Sequence, residues 1–342
     1  MEPHIVELPR RILMGNGASE RIPELLKELR LNGSPLILTG PLTKAIIGDR
    51  IFTSLAALSP RMEIVREGTS EEAEKIWKST PYADAVISVG GGSVIDVGKV
   101  VASRKDAELI CVPTAPSHDG IFSGRANLKD GRKQPSVVSK MPVAIVADIT
   151  IIKSAPHRLV SSGFADMVAK ITAVHDWRLA GEKGEYYSEF AAEIALFAAE
   201  KAMKSASLIR HREERGVRDL MQSLIASGAA MAIAGSSRPG SGAEHTISHV
   251  LESMGSAALH GEQCGTAAIV TACMQGQDWS RIKESLRQAG APTTAQELGI
   301  RRDEFVSAIL KAKDFRDRYT ILNEINVDAG KAEKACRETG VC

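Results

Sequence analysis

Residues 83–101 read A-D-A-V-I-S-V-G-G-G-S-V-I-D-V-G-K-V-V. This run predicts a hydrophobic strand, a turn of three glycines, and a helix with Asp96 and Lys99 in its early turns. Glycine lets a backbone approach a diphosphate closely, and a helix N-terminus offers it unpaired N–H groups and the positive end of the helix dipole. The run therefore predicts a dinucleotide-binding turn. Its spacing differs from G-x-G-x-x-G and no P-loop G-K-[ST] follows, so a turn of the same kind without a ligand stays an alternative.

The residues that we expect to contact the diphosphate and the neighbouring ribose are Gly91, Gly92, Ser93 and Asp96. A carboxylate is unusual beside a phosphate, so Asp96 is expected to hold a sugar hydroxyl or to structure the turn. Gly40 ends the first dinucleotide-binding strand, where an acidic residue often selects an unphosphorylated ribose. Because glycine removes the repulsion against a 2′-phosphate, we expect both NAD and NADP to bind.

Short aliphatic or β-branched runs alternate with helical patterns in the first half of the chain. The predicted strands are residues 35–39, 62–65, 85–89, 109–112 and 143–147, and the predicted helices are residues 18–29 and 93–103. Strands that alternate with helices predict a doubly wound, mainly parallel sheet. Asp130-Gly131 predicts a hairpin turn within residues 127–131.

The second half has a different pattern. After about Pro156 the strand pattern stops, and long helical patterns rich in Ala, Leu, Met and Glu follow, notably residues 187–210 and 217–234. A chain of 342 residues exceeds the usual size of one domain. We therefore predict an α/β dinucleotide-binding domain at residues 1–155 and an all-α domain at residues 156–342.

Composition argues against several other classes of protein. The formal net charge is +1, charges of both signs are interspersed and 4% of residues are aromatic, so no nucleic-acid-binding surface is indicated. Five scattered cysteines without a C-x-x-C pair indicate neither a disulfide framework nor a zinc ribbon. The N-terminal residues lack the apolar run of a signal peptide, and no apolar run is long enough for a transmembrane helix. We therefore expect no integral membrane segment and a cytoplasmic location.

Three histidines lie close together in residues 240–262, G-S-G-A-E-H-T-I-S-H-V-L-E-S-M-G-S-A-A-L-H-G-E. If this segment is helical, His245 and His249 share one face, and His260 follows a break at Gly255. Together with a carboxylate such as Asp166, they are the ligand types of a catalytic zinc site, which leaves one position for a substrate oxygen. The segment lacks the inner Glu of the protease motif H-E-x-x-H, which argues against a peptidase. Histidines that only pack in the core or lie on the surface stay an alternative.

Four motifs together resemble the iron-containing alcohol dehydrogenase and glycerol dehydrogenase superfamily, most strongly the archaeal-type sn-glycerol-1-phosphate dehydrogenases. They are G-G-G-S-V-I-D-V-G-K at residues 90–99, P-T-A-P-S-H-D-G at 113–120, G-F-A-D-M-V-A-K at 163–170, and His245, His249 and His260-Gly261-Glu262. The resemblance runs from about residue 5 to the end of the chain. It implies a dehydroquinate synthase-like fold, in which the first domain binds NAD or NADP and the all-α domain binds a metal ion.

The resemblance also implies a set of metal ligands. Asp166, His245 and His260 correspond to ligand positions, and Lys170 stands where many iron-type relatives have a fourth ligand, a histidine. A protonated lysine cannot bind a metal ion, so three ligands and zinc rather than iron are implied.

Further residues receive catalytic or cofactor roles from the same resemblance. His249 corresponds to a histidine that lies beside the substrate, where we expect it to relay a proton or contact the substrate. Asp119 corresponds to the position that binds a substrate hydroxyl, and Asp166 is catalytic through the metal. The implied cofactor contacts in the loop after the fourth predicted strand are Thr114, Ser117 and Ser123.

The activity implied is the reversible reduction of dihydroxyacetone phosphate to sn-glycerol 1-phosphate, which supplies the backbone of archaeal-type membrane lipids. We expect a homo-oligomer whose substrate phosphate is held by basic residues, with Lys170, Arg125, Arg158 and Arg238 as candidates. A glycerol dehydrogenase would oxidise unphosphorylated glycerol equally well. A dehydroquinate-synthase-like lyase would use NAD transiently and accumulate no NADH.

Overall fold

The computed structural model describes residues 5–117, 119–129 and 137–342. It divides into two compact units. The sheet unit comprises Glu7–Pro116 and Gly120–Pro156, and the helical unit comprises mainly His157–Cys342 together with Ser117 and Asp119. The assignment of residues 1–155 and 156–342 as separate functional domains stays a prediction.

The described part of the sheet unit contains eight strands. They are β1 (Arg11–Gly15), β2 (Leu36–Thr39), β3 (Arg61–Ile64), β4 (Ala85–Gly90), β5 (Glu108–Pro113), β6 (Arg125–Ala126), β7 (Val137–Val138) and β8 (Ala144–Asp148). Six of them form one sheet in the order β1-β8-β5-β4-β2-β3. All neighbouring strands of this sheet are parallel. β6 and β7 form a separate antiparallel pair.

The helices of the sheet unit mostly follow its strands. They are α1 (Ile22–Glu28), α2 (Pro41–Thr43), α3 (Asp49–Ser54), α4 (Ser70–Ser79), α5 (Gly92–Lys105) and α6 (Ile149–Lys153). Short 3-10 turns cover Ala18–Arg21, Ala56–Leu58 and Asp119–Phe122, the last of which begins at a residue of the helical unit, and a π-helical turn covers Lys44–Gly48.

The predicted mainly parallel α/β architecture is confirmed. All five predicted strands are present, with each end within one residue of its predicted position. The sequence analysis missed β1, an edge strand with two exposed and three half-buried residues, because its apolar run is only residues 12–14, between Arg11 and Gly15. The pairing of β6 with β7 agrees with a hairpin, while its predicted turn residues Asp130 and Gly131 lie outside the described residues.

The order of the strands reverses between β2 and β4. From β2 the chain continues to β3 on one side, returns to β4 on the other side, and continues to β5 and β8. In open parallel sheets, ligands bind beyond the carboxyl ends of the strands at such a reversal. β2 and β4 end there at Thr39 and Gly90, and the Thr43 hydroxyl joins the two ends because it accepts from the Gly40 N–H (2.9 Å) and donates to the Val89 carbonyl (3.2 Å).

The helical unit contains eleven α-helices in its described residues and no strand. They are α7 (His157–Val168), α8 (Lys170–Glu182), α9 (Glu189–Lys204), α10 (Ala206–Arg210), α11 (Glu214–Ala234), α12 (Ala243–Ser253), α13 (His260–Met274), α14 (Trp279–Ala289), α15 (Arg302–Ala312), α16 (Ile321–Glu324) and α17 (Ala329–Thr339), with a 3-10 turn at Arg238–Gly240. The predicted all-α second half is therefore confirmed. Among the described helices, none combines the length and the apolar character that a membrane span requires.

Two of the predicted helices differ in detail. Residues 18–29 form a 3-10 turn followed by α1, and residues 187–210 are divided into α9 and α10. The division falls at Ser205, whose backbone leaves the helical conformation (φ −103°, ψ 9°). Its hydroxyl donates to the buried Asp219 carboxylate (2.6 Å), so a tertiary contact replaces the local helical pattern.

Helix α5 packs directly on strand β4 because Gly98 has no side chain. A Cβ atom built on Gly98 would lie 1.6 Å from the Ser88 Oγ and 2.9 Å from the Ser88 Cβ. The strand side of this contact is fully buried, as Val86, Ile87 and Ser88 all have 0% exposure. Gly98 therefore fixes how close the helix of the glycine-rich turn lies to the sheet.

We predict that Gly98→Ala destabilises the sheet unit. The added methyl group must displace either the helix or Ser88, and we expect a loss of roughly 1–3 kcal/mol in the free energy of unfolding, measured by chemical denaturation. Gly330→Ala is the matched control, because Gly330 is exposed on α17. A Cβ atom there would have its nearest neighbour, the Asp328 Oδ1, at 3.4 Å. Equal stability of the two variants would contradict the close packing of α5 on β4.

Candidate metal centre and dinucleotide site

Two glycines bring helix α13 against helix α7 in the helical unit. A Cβ atom on Gly261 would lie 2.0 Å from a backbone oxygen of α7, and one on Gly265 would lie 2.7 Å from a side-chain carbon of α7. Only glycine allows this approach at both positions. His260 and Cys264 lie on the same helix as these glycines, and the approach brings them to Asp166 on α7.

Four side chains converge in this region with all their ligand atoms within 4.8 Å of one another: Asp166, His245, His260 and Cys264. The Nε2 of His245 lies 3.2 Å from the Oδ1 of Asp166, and the Nε2 of His260 lies 3.5 Å from the Sγ of Cys264. We call these four residues the inner cluster. The structure thus brings together the three residues that were predicted as ligands.

The sequence analysis missed Cys264 as a member of the inner cluster. The available indication was its spacing, since Cys264 follows His260 by four residues and lies on the same face of α13. A single cysteine without a C-x-x-C partner gave no reason to consider a metal role.

Each histidine of the inner cluster is oriented by a carboxylate. The Nδ1 of His245 lies 2.8 Å from Glu244 Oε1, and the Nδ1 of His260 lies 3.0 Å from Glu252 Oε1. A carboxylate on Nδ1 holds the N–H there and leaves Nε2 as the electron-pair donor, which is the usual arrangement around a metal-binding histidine. The sequence analysis assigned no role to Glu244 or Glu252. Glu252 reaches His260 only through the packing of α12 on α13, and a glutamate next to a histidine, as at Glu244, does not by itself indicate a metal site.

Glu244 is itself held by a buried network. It accepts hydrogen bonds from the Gly242 N–H (2.6 Å) and the Thr172 hydroxyl (2.9 Å). A second buried carboxylate, Asp176, accepts from the Ala243 N–H (2.7 Å). Burial and, next, repulsion from Glu244 raise the pKa of Asp176 to about 7, whereas the pKa of Glu244 is lowered because its hydrogen bonds outweigh its burial. The orientation of His245 therefore rests on several buried contacts.

The charged side chains of the inner cluster shift one another's pKa values. Burial alone would lower the pKa of His245, but the Cys264 sulfur and Asp166 raise it to about 10, and the pKa of His260 is raised by the same sulfur. Burial would raise the pKa of Cys264, but His245 and His260 lower it to about 7. For Asp166, the effect of burial is outweighed by Lys170 and the two histidines, so its pKa lies well below its usual range.

Lys170 is fully buried beside the inner cluster. Its Nζ lies 3.0 Å from Asp166 Oδ1, 3.0 Å from Asp119 Oδ2 and 3.1 Å from the Gly240 carbonyl oxygen. Burial would lower its pKa, but Asp119 and Asp166 raise it above the usual value. All three N–H bonds of the ammonium group thus have acceptors. Lys170 therefore neutralises carboxylates in this arrangement and has no free donor for a substrate phosphate.

Asp119 contacts the inner cluster through its backbone. Its N–H donates to Asp166 Oδ2 (3.2 Å), and its own carboxylate accepts from Lys170 and from the Ser227 hydroxyl (2.9 Å). Asp119 is half-buried, so part of it is open to a ligand.

His249 lies next to the inner cluster without belonging to it. Its Nδ1 is 3.3 Å from Glu252 Oε2, and the other oxygen of the same carboxylate contacts His260. The imidazole centroids of His249 and His260 are 5.5 Å apart. Burial lowers the pKa of His249 to about 4, with a further lowering by His260 and Arg316, so the ring is neutral at pH 7.

Two of the arginines that were considered for a substrate phosphate have carboxylate partners. Arg158 donates two hydrogen bonds of 2.7 Å to Glu262, and Arg238 forms a two-point ion pair with Glu185. Arg125 is exposed in the sheet unit. The sequence analysis missed Arg316, which is half-buried and close enough to His249 to influence its pKa.

The glycine-rich turn of the sheet unit has room for a ligand. Gly91 is the N-terminal cap residue of α5, no side chain caps the helix there, and a Cβ atom on Gly91 would have no neighbour within 4 Å. Gly92 and Ser93 form the first turn of α5 and are half-buried. Gly68 (φ +76°) approaches Ser93 so closely that a Cβ on it would lie 2.9 Å from the Ser93 Cβ, and the sequence analysis did not identify this second glycine.

Asp96 and Lys99 form a buried ion pair of 2.9 Å on α5. Lys99 also donates to the carbonyl oxygens of Gly120 (2.6 Å) and Arg125 (2.7 Å), and Asp96 accepts from the Asn127 N–H (3.2 Å). The pair therefore holds the segment after β5 in place. Two roles were expected for Asp96. These contacts favour a structural role in the turn and not the binding of a sugar hydroxyl.

The remaining predicted cofactor contacts lie after β5. Thr114 is buried in the sheet unit, and its N–H donates to the Gly90 carbonyl (3.1 Å) at the glycine-rich turn. Ser123 bonds within its own loop, to the carbonyl oxygens of Gly120 and Arg125. Ser117 is half-buried and is grouped with the helical unit.

Comparison with known proteins places this chain in a family. The model of the iron-containing alcohol dehydrogenase family matches residues 13–156. The glycerol-1-phosphate dehydrogenase [NAD(P)+] of Thermococcus sibiricus is 42% identical over 99% of this chain and 98% of the relative, and that of Methanosarcina acetivorans is 40% identical over 98% and 96%.

Two solved structures have the same fold. A probable glycerol dehydrogenase from Sinorhizobium meliloti has a TM-score of 0.80 at 19% identity, with 98% of both chains covered. Sulfoacetaldehyde reductase from Bifidobacterium kashiwanohense in complex with NAD+ has a TM-score of 0.77 at 16% identity, with 99% of both chains covered. With relatives that match it over nearly its whole length, this chain belongs to the glycerol-1-phosphate dehydrogenase family of the iron-containing alcohol dehydrogenases.

Proposed function

We propose that this protein catalyses the reversible, zinc-dependent reduction of dihydroxyacetone phosphate to sn-glycerol 1-phosphate with NADH or NADPH. The observation that carries the proposal is the convergence of Asp166, His245 and His260, each buried or half-buried, in a chain of this family. Further support comes from relatives of about 40% identity that are named glycerol-1-phosphate dehydrogenase [NAD(P)+]. We propose that the reaction takes place in the cytoplasm, supplies the backbone of archaeal-type membrane lipids, and is carried out by a homo-oligomer.

The donor set of the inner cluster fits a zinc ion. Imidazole nitrogen, carboxylate oxygen and thiolate sulfur are the ligands that zinc accepts, and the Nε2 atoms of His245 and His260 are held in place by carboxylates on Nδ1. Zinc bound there would supply Lewis-acid chemistry, which polarises the ketone of the substrate and stabilises the negative charge that develops on its oxygen.

The chain's own residues would position the substrate and move its proton. We propose that His249, neutral at pH 7, exchanges a proton with the substrate oxygen, directly or through a water molecule. Glu252 links His249 to His260 and can compensate the charge of an imidazolium that forms on either ring. We propose that Asp119 accepts a hydrogen bond from a substrate hydroxyl, because it is half-buried and its N–H fixes it to Asp166.

We propose that the glycine-rich turn holds the dinucleotide. Gly91, Gly92 and Ser93 would bind the diphosphate through their N–H groups at the start of α5, where the helix dipole favours negative charge. The backbone of Gly68 lies close to Ser93 at the start of α5, because Gly68 has no side chain. Thr114, Ser117 and Ser123 stay proposed cofactor contacts, and Asp96 is proposed to shape the site through Lys99. The cofactor supplies the hydride, and the protein supplies its position.

Arg316 is our candidate for the substrate phosphate. Its positive charge already acts on His249, the proposed proton carrier, so a phosphate beside Arg316 would place the substrate near that residue.

We predict that dihydroxyacetone phosphate is reduced far more efficiently than dihydroxyacetone. The loss of one charge-assisted contact of ~3 kcal/mol lowers kcat/KM by at least about two orders of magnitude. The measurement is NADH consumption with the two ketones, followed by chiral analysis of the product. Equal rates would identify a polyol dehydrogenase, and a product that an sn-glycerol-3-phosphate-specific dehydrogenase consumes would reverse the proposed stereochemistry. An NAD-dependent conversion without net change in NADH would favour a dehydroquinate-synthase-like lyase.

We predict that chelation abolishes activity and that zinc restores it. Asp166→Asn should lose both zinc and turnover, because a neutral amide replaces the buried carboxylate in the inner cluster. Since the pKa values of His245 and His260 are raised, protons compete with zinc, and zinc affinity should fall as the pH is lowered. His249→Ala is the matched comparison, and it should retain zinc while kcat falls. Metal content by elemental analysis, together with activity, tests these outcomes, and full activity after exhaustive chelation would refute the zinc mechanism.

We predict that a carboxylate at position 40 selects against NADP. Gly40→Asp would place a negative charge at the carboxyl end of β2, where it repels the 2′-phosphate, so the dissociation constant of NADPH should rise more than that of NADH. Gly40→Asn is the control for size, because it adds nearly the same volume without the charge. If the two variants had the same ratio of NADPH to NADH affinity, the adenosine ribose would not lie beside β2.

A further inference from the structure

We propose that Cys264 is a fourth protein ligand, through its sulfur, of the zinc ion in the substrate-free enzyme. This inference rests on the metal centre proposed above and extends it, because the ligand set implied by family resemblance contains only Asp166, His245 and His260. It concerns the metal-binding atoms of this chain, and its test does not depend on turnover.

Two distances within the inner cluster match those of a tetrahedral site with one sulfur, and all four ligand atoms lie within 4.8 Å of one another. Zinc bonds of ~2.3 Å to sulfur and ~2.0 Å to nitrogen place those two ligand atoms about 3.5 Å apart at the tetrahedral angle. The Sγ of Cys264 lies 3.5 Å from the Nε2 of His260. For nitrogen and oxygen ligands at ~2.0 Å the corresponding separation is about 3.3 Å, and the Nε2 of His245 lies 3.2 Å from the Oδ1 of Asp166.

Packing of α13 on α7 fixes the position of Cys264. The residue is fully buried, and the helix that carries it is held against α7 by Gly265, the next residue. His260 lies one turn earlier on the same helix, so the two ligand atoms share one face. The sulfur therefore cannot turn away from the cluster into solvent.

Charge balance favours a thiolate in this place. Lys170 lies 3.0 Å from both Asp119 and Asp166, so its one positive charge is shared by two carboxylates, and Asp166 is the one carboxylate among the four side chains of the inner cluster. A buried cation requires compensation by paired charges. A thiolate at Cys264 would bring the sum of the zinc ion and its ligands to zero, and a soft sulfur ligand favours zinc over magnesium, calcium or manganese.

A resting site with four protein ligands is compatible with the proposed reaction. Catalytic zinc sites sometimes expand to five ligands, so a zinc ion held by these four side chains would still have a way to take the substrate oxygen. In the substrate-free site, Cys264 would stand in the place of a water ligand.

X-ray absorption spectroscopy of the zinc-loaded full-length protein tests the proposal. We expect one sulfur scatterer at ~2.3 Å in addition to nitrogen and oxygen at ~2.0 Å. The cobalt-substituted protein should show a sulfur-to-metal charge-transfer band in the near ultraviolet. Both features should disappear in Cys264→Ser and in Cys264→Ala, and zinc affinity by competition with a chelator should fall by at least about tenfold.

Cys273→Ser is the matched control, because Cys273 lies on the same helix outside the inner cluster and is half-exposed. This variant should keep the sulfur scatterer and the charge-transfer band. A shell of nitrogen and oxygen alone in the wild-type protein, with dihydroxyacetone phosphate still reduced, would overturn the role of Cys264 and leave the proposed function intact. A protein that binds no metal ion would overturn both.

Discussion

The helical unit is organised around one buried carboxylate, that of Asp166. Its oxygens contact the Lys170 ammonium, the Nε2 of His245 and the backbone N–H of Asp119. A charge that is removed from water must be paired and hydrogen-bonded, and breaking such a pair from one side typically costs about 3–5 kcal/mol. The contacts with Asp166 therefore stabilise the positions of the segments that carry Lys170, His245 and Asp119. The same constraint gathers four side chains of metal-ligating types in one place.

The orientation of the histidines in the inner cluster depends on two carboxylates outside it. Glu244 and Glu252 hold the Nδ1 atoms of His245 and His260, and Glu244 is held in turn by backbone and hydroxyl donors. Such outer contacts fix the ring orientation and the basicity of the donor nitrogen. The hydrogen bonds to Glu244 therefore limit the orientations that His245 can take.

Glycine has the same physical task in both units. In the sheet unit, Gly98 lets α5 lie on β4, and Gly91 leaves the start of α5 open. In the helical unit, Gly261 and Gly265 let α13 lie on α7. In each case a missing side chain sets the distance between two elements whose ends or faces carry the proposed chemistry. Close backbone approach, rather than backbone flexibility, explains these glycines.

Local patterns along the chain were enough to predict the classes of the elements, and family resemblance added three of the proposed ligands. Alternation of short apolar runs with helical patterns gave the parallel sheet, and the glycine-rich turn gave the start of α5, because both depend on neighbours along the chain. The spacing of His245 and His249 predicted a helix, and Gly255 (φ +92°) ends it before His260 as expected. The role of Asp166 as a ligand came from family resemblance and not from its local sequence.

Which side chains meet depends on the packing of elements that are distant in sequence. Cys264 shares a helix face with His260 and Glu252 shares one with His249, but this spacing alone indicated no role, and Arg316 has no local pattern. These residues become relevant only because α12, α13 and the segment after α15 bring them near the histidines. Lys170 shows the opposite case, since a basic residue that could have served a phosphate is occupied by two carboxylates. Periodicity along a chain reports which face of an element is buried, but the partner of a buried polar group is set by packing between elements distant in sequence.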